Sequence, residues 1–170
     1  MKVLDDFLPE NEFKPIQATF TRGLPWHYNS HITENTEAFQ FTHTFFNVNN
    51  PFVSSRFCPL IQPVLTKLKP WALLRAKANL RTITPEHVHS SFHTDMRDLN
   101  NLTAIYYLNT CNGYTMFNDG TKVESVENRL LLFDGSRLHC GTSPTDSKIR
   151  LVLNINYFPD KLPDGSPDVP

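Results

Sequence analysis

The stretch IRLVLNINYF, residues 149–158, has an apolar residue at every second position, a pattern typical of a long β-strand. One face would carry Ile149, Leu151, Leu153, Ile155 and Tyr157, and the other Arg150, Val152, Asn154 and Asn156. If the apolar face packs under helices, Arg150 points into a barrel. A buried guanidinium is costly without a partner, so an inward Arg150 requires an anion, and its planar fork fits a carboxylate. In the opposite arrangement the polar face is a surface and Arg150 extends into solvent.

Further segments predict a mainly β protein. Residues 39–45 alternate between apolar and polar side chains, and residues 103–108 are rich in β-branched and aromatic types. Asn-Gly, Asp-Gly and Ser-Pro pairs punctuate the second half at short intervals, a pattern typical of a jelly roll or sandwich. Helices are predicted at residues 9–20 and 56–69. Pro63 predicts a kink or a late start in the second helix.

Composition indicates one globular domain. The chain has 170 residues, of which 39% are hydrophobic and 19% are charged. We assign residues 1–158 to the domain and residues 159–170, rich in proline and aspartate, to an extended tail. Sixteen basic and seventeen acidic residues give a net charge of -1, so a nucleic-acid partner is not expected.

The sequence also predicts the compartment. Its apolar runs are too short to span a bilayer, and Asp5 and Asp6 interrupt the first one, so neither a membrane span nor a signal peptide is expected. Cys58, Cys111 and Cys140 are too few and too scattered for a disulfide framework or a zinc site. We expect a cytoplasmic protein, in the host cytoplasm if the source is viral.

The stretch HVHSSFHTD, residues 87–95, concentrates metal-ligand side chains. On an extended strand His93 and Asp95 point to the same face and can occupy neighbouring positions around a metal. His139 is the only histidine after Asp95, which makes it the only later candidate for a third ligand. Two histidines and one carboxylate on one face leave three positions open, as in non-haem Fe(II) oxygenases. A polar strand end at the surface would show the same His-x-Asp pattern.

The order of these segments resembles that of the Fe(II)/2-oxoglutarate-dependent dioxygenases. Within them it is most similar to the prolyl-4-hydroxylase-like branch, including its short bacterial and phage members. The resemblance covers about residues 72–158. It depends on His93-Thr94-Asp95, AIYYLN at 104–109, GYTMF at 113–117, His139-Cys140-Gly141, and Arg150 in the closing strand.

The resemblance implies a double-stranded β-helix, that is, a jelly roll backed by a few N-terminal helices. The implied ligands of Fe(II) are His93, Asp95 and His139. Arg150 would bind the distal carboxylate of the cosubstrate 2-oxoglutarate, Tyr107 would hydrogen-bond the same group, and Asn154 would form a wall of the pocket. The implied reaction uses O2 to hydroxylate an unactivated C–H bond while 2-oxoglutarate is decarboxylated to succinate.

The sequence departs from the family pattern upstream of the first ligand. The family's frequent tyrosine and glycine-rich turn are replaced by NLRTITP, residues 79–85, so Asn79 or Arg81 is expected to help hold the keto-acid end. Tyr114 stands at the second position of a frequent Gly-Gly pair.

The loops at residues 81–91 and 97–101 are expected to select the substrate, which by analogy is a prolyl or other protein side chain, a peptide or a small molecule.

Two other functions fit the same residues. His87 and His89, taken as surface residues or as supports for the ligands, could instead bind a metal together with His139. That set would suit a cupin-type enzyme that does not use 2-oxoglutarate. A non-catalytic jelly-roll binding module is the second alternative. An inward Arg150 favours the dioxygenase over the cupin, since only the dioxygenase needs a cation there.

Overall fold

The computed structural model describes residues 1–32, 38–50, 55–96 and 101–160. The elements are β1 (Lys2–Leu4), α1 (Glu10–Arg22), β2 (His27–Asn29), β3 (Gln40–Asn47), a 3-10 turn (Cys58–Ile61), α2 (Gln62–Leu68), β4 (Pro70–Thr82), β5 (Leu102–Tyr107), β6 (Cys111–Phe117), β7 (Lys122–Ser125), β8 (Arg129–Asp134), β9 (His139–Gly141) and β10 (Ile149–Pro159).

The strands form two antiparallel sheets. The larger has seven strands in the order β1-β8-β5-β10-β4-β3-β2, and the smaller has three in the order β7-β6-β9. From β5 onward the chain passes repeatedly between the sheets, since β6, β7 and β9 lie in the smaller sheet and β8 and β10 in the larger. This winding is that of a jelly roll, and the predicted mainly β fold is confirmed.

The main hydrophobic core lies between the helices and the outer face of the larger sheet. Phe13, Ile16 and Phe20 of α1 pack in it together with alternate residues of β10, including Leu151 and Leu153. Burial of these side chains is the dominant favourable term in folding. The predicted alternation of residues 149–158 is therefore confirmed.

A second hydrophobic cluster lies between the two sheets. Phe117 of β6 and Val123 of β7 meet residues of the larger sheet there, among them Tyr107, Leu131 and Val152. This cluster fills only part of the space between the sheets, and a polar cavity occupies the rest.

Both predicted helices are present, with shifted boundaries. The first is α1, with Pro9 at its N-cap, where the missing proline N–H costs no helical hydrogen bond. The second begins as the 3-10 turn and becomes α2 only at Gln62, with Pro63 in the first turn of α2. The late start predicted from Pro63 is confirmed, because a proline in the first turn interrupts no i to i-4 hydrogen bond.

The segment that carries His93 differs from the prediction. An extended strand was expected, but the segment pairs through two isolated antiparallel bridges, His89 with Thr142 and His93 with His139. In the second bridge each backbone N–H donates to the other's carbonyl at 3.0 Å. Residues 161–170 of the predicted tail and 97–100 of the second predicted loop lie outside the described residues. No helix among the described residues is long and apolar enough to cross a membrane.

Candidate metal site and its cavity

Three predicted ligands meet at one end of the polar cavity. One ligand atom from each of His93, Asp95 and His139 lies within 4.8 Å of the others. The Nε2 atoms of His93 and His139 each lie 3.8 Å from an oxygen of Asp95, His93 from Oδ1 and His139 from Oδ2. It is the one such group among the described residues. Two imidazoles and one carboxylate form a donor set that suits Fe(II).

Backbone carbonyls orient both imidazoles. Nδ1 of His93 bonds to the carbonyl of Ser91 at 2.9 Å, and Nδ1 of His139 bonds to the carbonyl of Arg137 at 3.1 Å. Because a carbonyl oxygen can only accept, each Nδ1 carries the proton and each Nε2 keeps its lone pair for a metal. Burial lowers the pKa of His139, which keeps that ring in the neutral form that can bind a metal.

Charged and amide groups hold the carboxylate of Asp95. Its side chain is 4% exposed, and Arg75 Nη2 lies 2.6 Å from Oδ1. Asn156 Nδ2 donates to Oδ2 at 3.2 Å. Burial alone would raise the pKa of Asp95, but Arg75, the two histidines and the bond from Asn156 outweigh it, and the pKa lies well below its usual range. Asp95 is therefore a carboxylate at neutral pH, as a metal ligand must be.

The cavity is strongly positive. Its volume is about 250 Å³, and four cationic side chains line it against the single carboxylate of Asp95. The four are Arg75, Lys77, Arg81 and Arg150. Grouped cations in a partly desolvated cavity attract anions.

Arg150 lies deep in the cavity wall. It is 4% exposed, and it donates from Nε to Ser125 Oγ at 2.7 Å and from Nη2 to Thr115 Oγ1 at 3.1 Å. Burial lowers the pKa of Arg150, yet no carboxylate among the described residues forms an ion pair with it. A buried guanidinium that bonds only to hydroxyls lacks the counter-charge that would offset its desolvation.

Two glycines make room for this guanidinium. A Cβ at Gly113 would lie 2.6 Å from Arg150 Cδ, and one at Gly141 would lie 3.2 Å from its Nη1. The first distance is shorter than real Cβ contacts, so the side chain of Arg150 passes over Gly113 only because no Cβ is present.

Thr115 joins Arg150 to Tyr107. The hydroxyl of Tyr107 donates to Thr115 Oγ1 at 2.8 Å, and the same oxygen accepts from Arg150. With both lone pairs in use, the hydroxyl proton of Thr115 is left to donate. Thr115 lines the cavity, whereas Tyr107 is fully buried behind it.

Comparison with known proteins supports the architecture. The sequence matches no protein-family model and no curated protein. Among solved structures, it is similar to a Trichoplax adhaerens prolyl hydroxylase in complex with a peptide of the hypoxia-inducible factor, with a TM-score of 0.66 and 16% identity over 92% of this chain and 82% of that one.

A viral collagen prolyl hydroxylase from Paramecium bursaria Chlorella virus-1, in its 2-oxoglutarate complex, gives a TM-score of 0.56 with 16% identity over 94% and 96% of the two chains. An α-ketoglutarate-dependent epimerase from nogalamycin biosynthesis gives 0.63 with 12% identity over 99% and 87%. The likeness shows that this chain shares its jelly-roll fold with these structures.

Three further residues predicted to form the pocket lie at the cavity. Asn79, Arg81 and Asn154 all line it. Arg81 donates to the carbonyls of Gly141 at 2.7 Å and Val88 at 2.8 Å. Burial, reinforced by the charge of Arg150, lowers the pKa of Arg81 to about 10, so it stays charged at neutral pH.

The alternative ligand set is not assembled. Nδ1 of His87 donates to the carbonyl of Ser143 at 2.8 Å. His89 contacts the hydroxyl of Tyr114 at 3.4 Å and the thiol of Cys140 at 3.9 Å. The metal-ligand group formed by described residues includes His139 but neither His87 nor His89.

Sequence reasoning missed part of the cavity. Arg75 and Lys77 come from β4, whose alternation places them with Asn79 and Arg81 on the face opposite Ala76 and Ala78. A two-residue period in residues 75–81 was the available signal. Thr115, and Ile32 and Gln40 from the N-terminal half, were also missed, and no local pattern marks them.

Proposed function

We propose that the protein is an Fe(II)/2-oxoglutarate-dependent dioxygenase that hydroxylates an unactivated C–H bond. The observation that carries this proposal is Arg150, a buried cation that has no carboxylate partner in the described parts of the chain. It lies in the cavity that also holds the triad of His93, Asp95 and His139. An anion with two carboxylates would fit both sites, since one carboxylate can help to chelate a metal at the triad and the other can bind the guanidinium of Arg150 bidentately.

Each group of residues has a defined task in this proposal. His93, Asp95 and His139 would hold Fe(II) on one face and leave the opposite positions open. Arg150 would bind the far carboxylate of 2-oxoglutarate, with Thr115 donating its hydroxyl proton to the same group. Fixing both ends of the cosubstrate supplies the orientation that the reaction needs. Bound Fe(II) would supply the activation of O2, which amino-acid side chains cannot perform, and 2-oxoglutarate would be converted to succinate and carbon dioxide.

The substrate in this proposal is a protein, peptide or small molecule. Ile32, Gln40 and Ser90 line the cavity together with the proposed metal ligands, so these three residues would contact the substrate. A prolyl side chain is the first candidate to test, because two of the similar structures are prolyl hydroxylases.

Anaerobic spectroscopy tests the proposal. Fe(II) and 2-oxoglutarate added together should produce the visible charge-transfer band of a chelated keto acid, and Asp95→Ala should abolish it. Arg150→Leu should weaken 2-oxoglutarate while iron affinity stays nearly unchanged. The control is Arg129→Leu, which removes an arginine that pairs with Asp5 at the surface. Iron-loaded protein without the band would contradict the proposal, and a protein that binds no Fe(II) would favour a non-catalytic module.

A further inference from the structure

Lys77 faces the cavity from the middle of β4. Its neighbours on the same face are Arg75 on one side and Asn79 and then Arg81 on the other, and all of them line the cavity. Across the sheet Lys77 pairs in register with Asn154 of β10. The Arg81–Arg150 pair lies further along the ladder in one direction and the Arg75–Asn156 pair in the other. Lys77 therefore lies between the proposed distal carboxylate site and the metal site.

Lys77 differs from the other cations of the cavity because it has no partner among the residues that the structure describes. Arg75 pairs with Asp95, Arg81 donates to two backbone carbonyls, and Arg150 donates to two hydroxyls. Lys77 forms no hydrogen bond or ion pair with any residue in the described parts of the chain. A mostly buried ammonium without a partner is costly, and a bound anion would offset that cost.

Asn154, which pairs with Lys77 across the sheet, has a buried polar atom without a hydrogen bond among the described residues. The side-chain oxygen Oδ1 of Asn154 is buried and has no hydrogen-bond partner among the described residues. Buried polar atoms are nearly always hydrogen-bonded in folded proteins. Lys77 offers donors and Asn154 offers an acceptor, so a ligand that fits both carries an anion next to an N–H or O–H group.

The proposed cosubstrate does not neutralise this cavity. Four cations and one carboxylate line it, which leaves an excess of three positive charges. The two charges of Fe(II) and the two of 2-oxoglutarate cancel each other, so the excess remains after both bind.

We propose that Lys77 binds a carboxylate of the primary substrate and that Asn154 accepts a hydrogen bond from a donor next to that carboxylate. The compound that is hydroxylated is then an organic acid with an adjacent N–H or O–H group. This inference rests on the proposed function, since it assigns the first anion to the site at Arg150.

Calorimetry with paired probes tests this inference. The protein is loaded with Mn(II), as a substitute that does not start turnover, and with saturating 2-oxoglutarate. It is then titrated with N-acetyl-L-leucine and with N-acetyl-L-leucinamide, which differ by one charge and keep the same N–H. Monocarboxylates are used because they do not mimic the two carboxylates of 2-oxoglutarate. The acid should bind at least about tenfold more tightly than the amide, as one charge-assisted hydrogen bond predicts.

Substitutions assign that preference to one side chain. Lys77→Met should remove the difference between acid and amide, while Lys77→Arg should retain it. Affinity for 2-oxoglutarate should change by no more than about twofold in both variants. Lys122→Met is the matched control, since Lys122 lies over the ring of Tyr114 and does not line the cavity, and it should leave the preference intact.

Several outcomes would overturn the inference. They are equal affinity for acid and amide, no binding of either probe, and a Lys77→Met variant that loses 2-oxoglutarate instead, which would assign Lys77 to the cosubstrate. Failure of the metal-loaded protein to bind 2-oxoglutarate at all would contradict the proposed function itself. Titration of the metal-loaded protein with 2-oxoglutarate, before either probe is added, therefore distinguishes failure of the proposed function from failure of this inference.

Discussion

Arg75 Nη2 lies 2.6 Å from Asp95 Oδ1, so an arginine of β4 neutralises the carboxylate proposed to bind the metal. Arg75 also donates from Nε to Asn156 Oδ1 at 3.1 Å, and Asn156 donates to the second oxygen of Asp95. The three side chains form a closed ring of hydrogen bonds. In the metal-free protein, Arg75 is the main counter-charge of a buried carboxylate.

Replacing Arg75 should destabilise the metal-free protein. Arg75→Met leaves the Asp95 carboxylate buried without its cation, and breaking a buried ion pair from one side costs about 3–5 kcal/mol. Added Mn(II) should restore much of that loss, because the metal replaces the missing charge. Thermal unfolding with a chelator and with Mn(II) measures both effects.

The control for that variant is Arg129→Met, which breaks an ion pair whose Asp5 side chain is 57% exposed. Exposed pairs contribute about 0–1 kcal/mol, so this substitution should have a small effect that does not depend on metal. Equal losses in the two variants would show that Asp95 does not depend on Arg75.

Acid should destabilise the metal-free protein through Asp95. Burial alone would raise its pKa, but Arg75, the two histidines and Asn156 together lower the pKa below that of an unfolded aspartate. A lowered folded-state pKa contributes stability that is fully present above about pH 4, the unfolded value, and is lost as the pH falls toward the folded value.

Urea unfolding between about pH 2.5 and pH 7 measures this dependence. Asp95→Asn should lower the free energy of unfolding near neutrality and flatten its decline in acid. The exposed carboxylates with lowered pKa values, Asp5 and Asp119 among them, are common to both proteins, so the difference reports Asp95. Parallel curves for the two proteins would contradict the assignment.

Thr115 should matter more for 2-oxoglutarate than Tyr107 does. Thr115→Val keeps the shape but leaves Tyr107 and Arg150 without their shared acceptor, and it removes the free hydroxyl proton. Affinity for 2-oxoglutarate should fall by about tenfold or more. Tyr107→Phe removes the hydroxyl that donates to Thr115 but keeps the ring beneath Arg150, so its effect should be smaller. A Tyr107→Phe variant impaired as strongly as Thr115→Val would show direct contact between the tyrosine and the ligand.

A methyl group at Gly113 should displace Arg150. The added Cβ of Gly113→Ala would lie 2.6 Å from Arg150 Cδ, so the guanidinium must move, and affinity for 2-oxoglutarate should fall while Mn(II) affinity is retained. Gly23→Ala is the matched control, because its Cβ would lie 3.6 Å from the nearest atom, at the end of α1. Competition titrations measure both ligands, and unchanged 2-oxoglutarate binding in Gly113→Ala would show that Arg150 does not hold it.

Local patterns predicted a large part of the fold. The alternation of residues 149–158 predicted that Arg150 lies on the face opposite the apolar side chains, because side-chain direction in a strand has a period of two. The structure shows that this face lines the cavity. Pro63 marked the late start of α2 because its ring fits only the first turn of a helix. The pairing of His93 with His139 as a single bridge was beyond such reasoning, since it depends on how two distant segments meet.

The candidate site also combines residues that the sequence predicted with contacts that only the structure shows. His93, Asp95, His139 and Arg150 could be named from the sequence because their residue types and order carry the chemistry. Their supporting contacts join residues far apart in the chain, such as Arg75 with Asp95, 20 positions apart, and Asp95 with Asn156, 61 positions apart. The amino-acid order thus determined which groups are available to a metal and an anion. Only the packing of the two sheets decided which of them share a cavity, because burial and pairing arise when separate strands are brought together. The same packing left Lys77 in that cavity without a partner among the described residues.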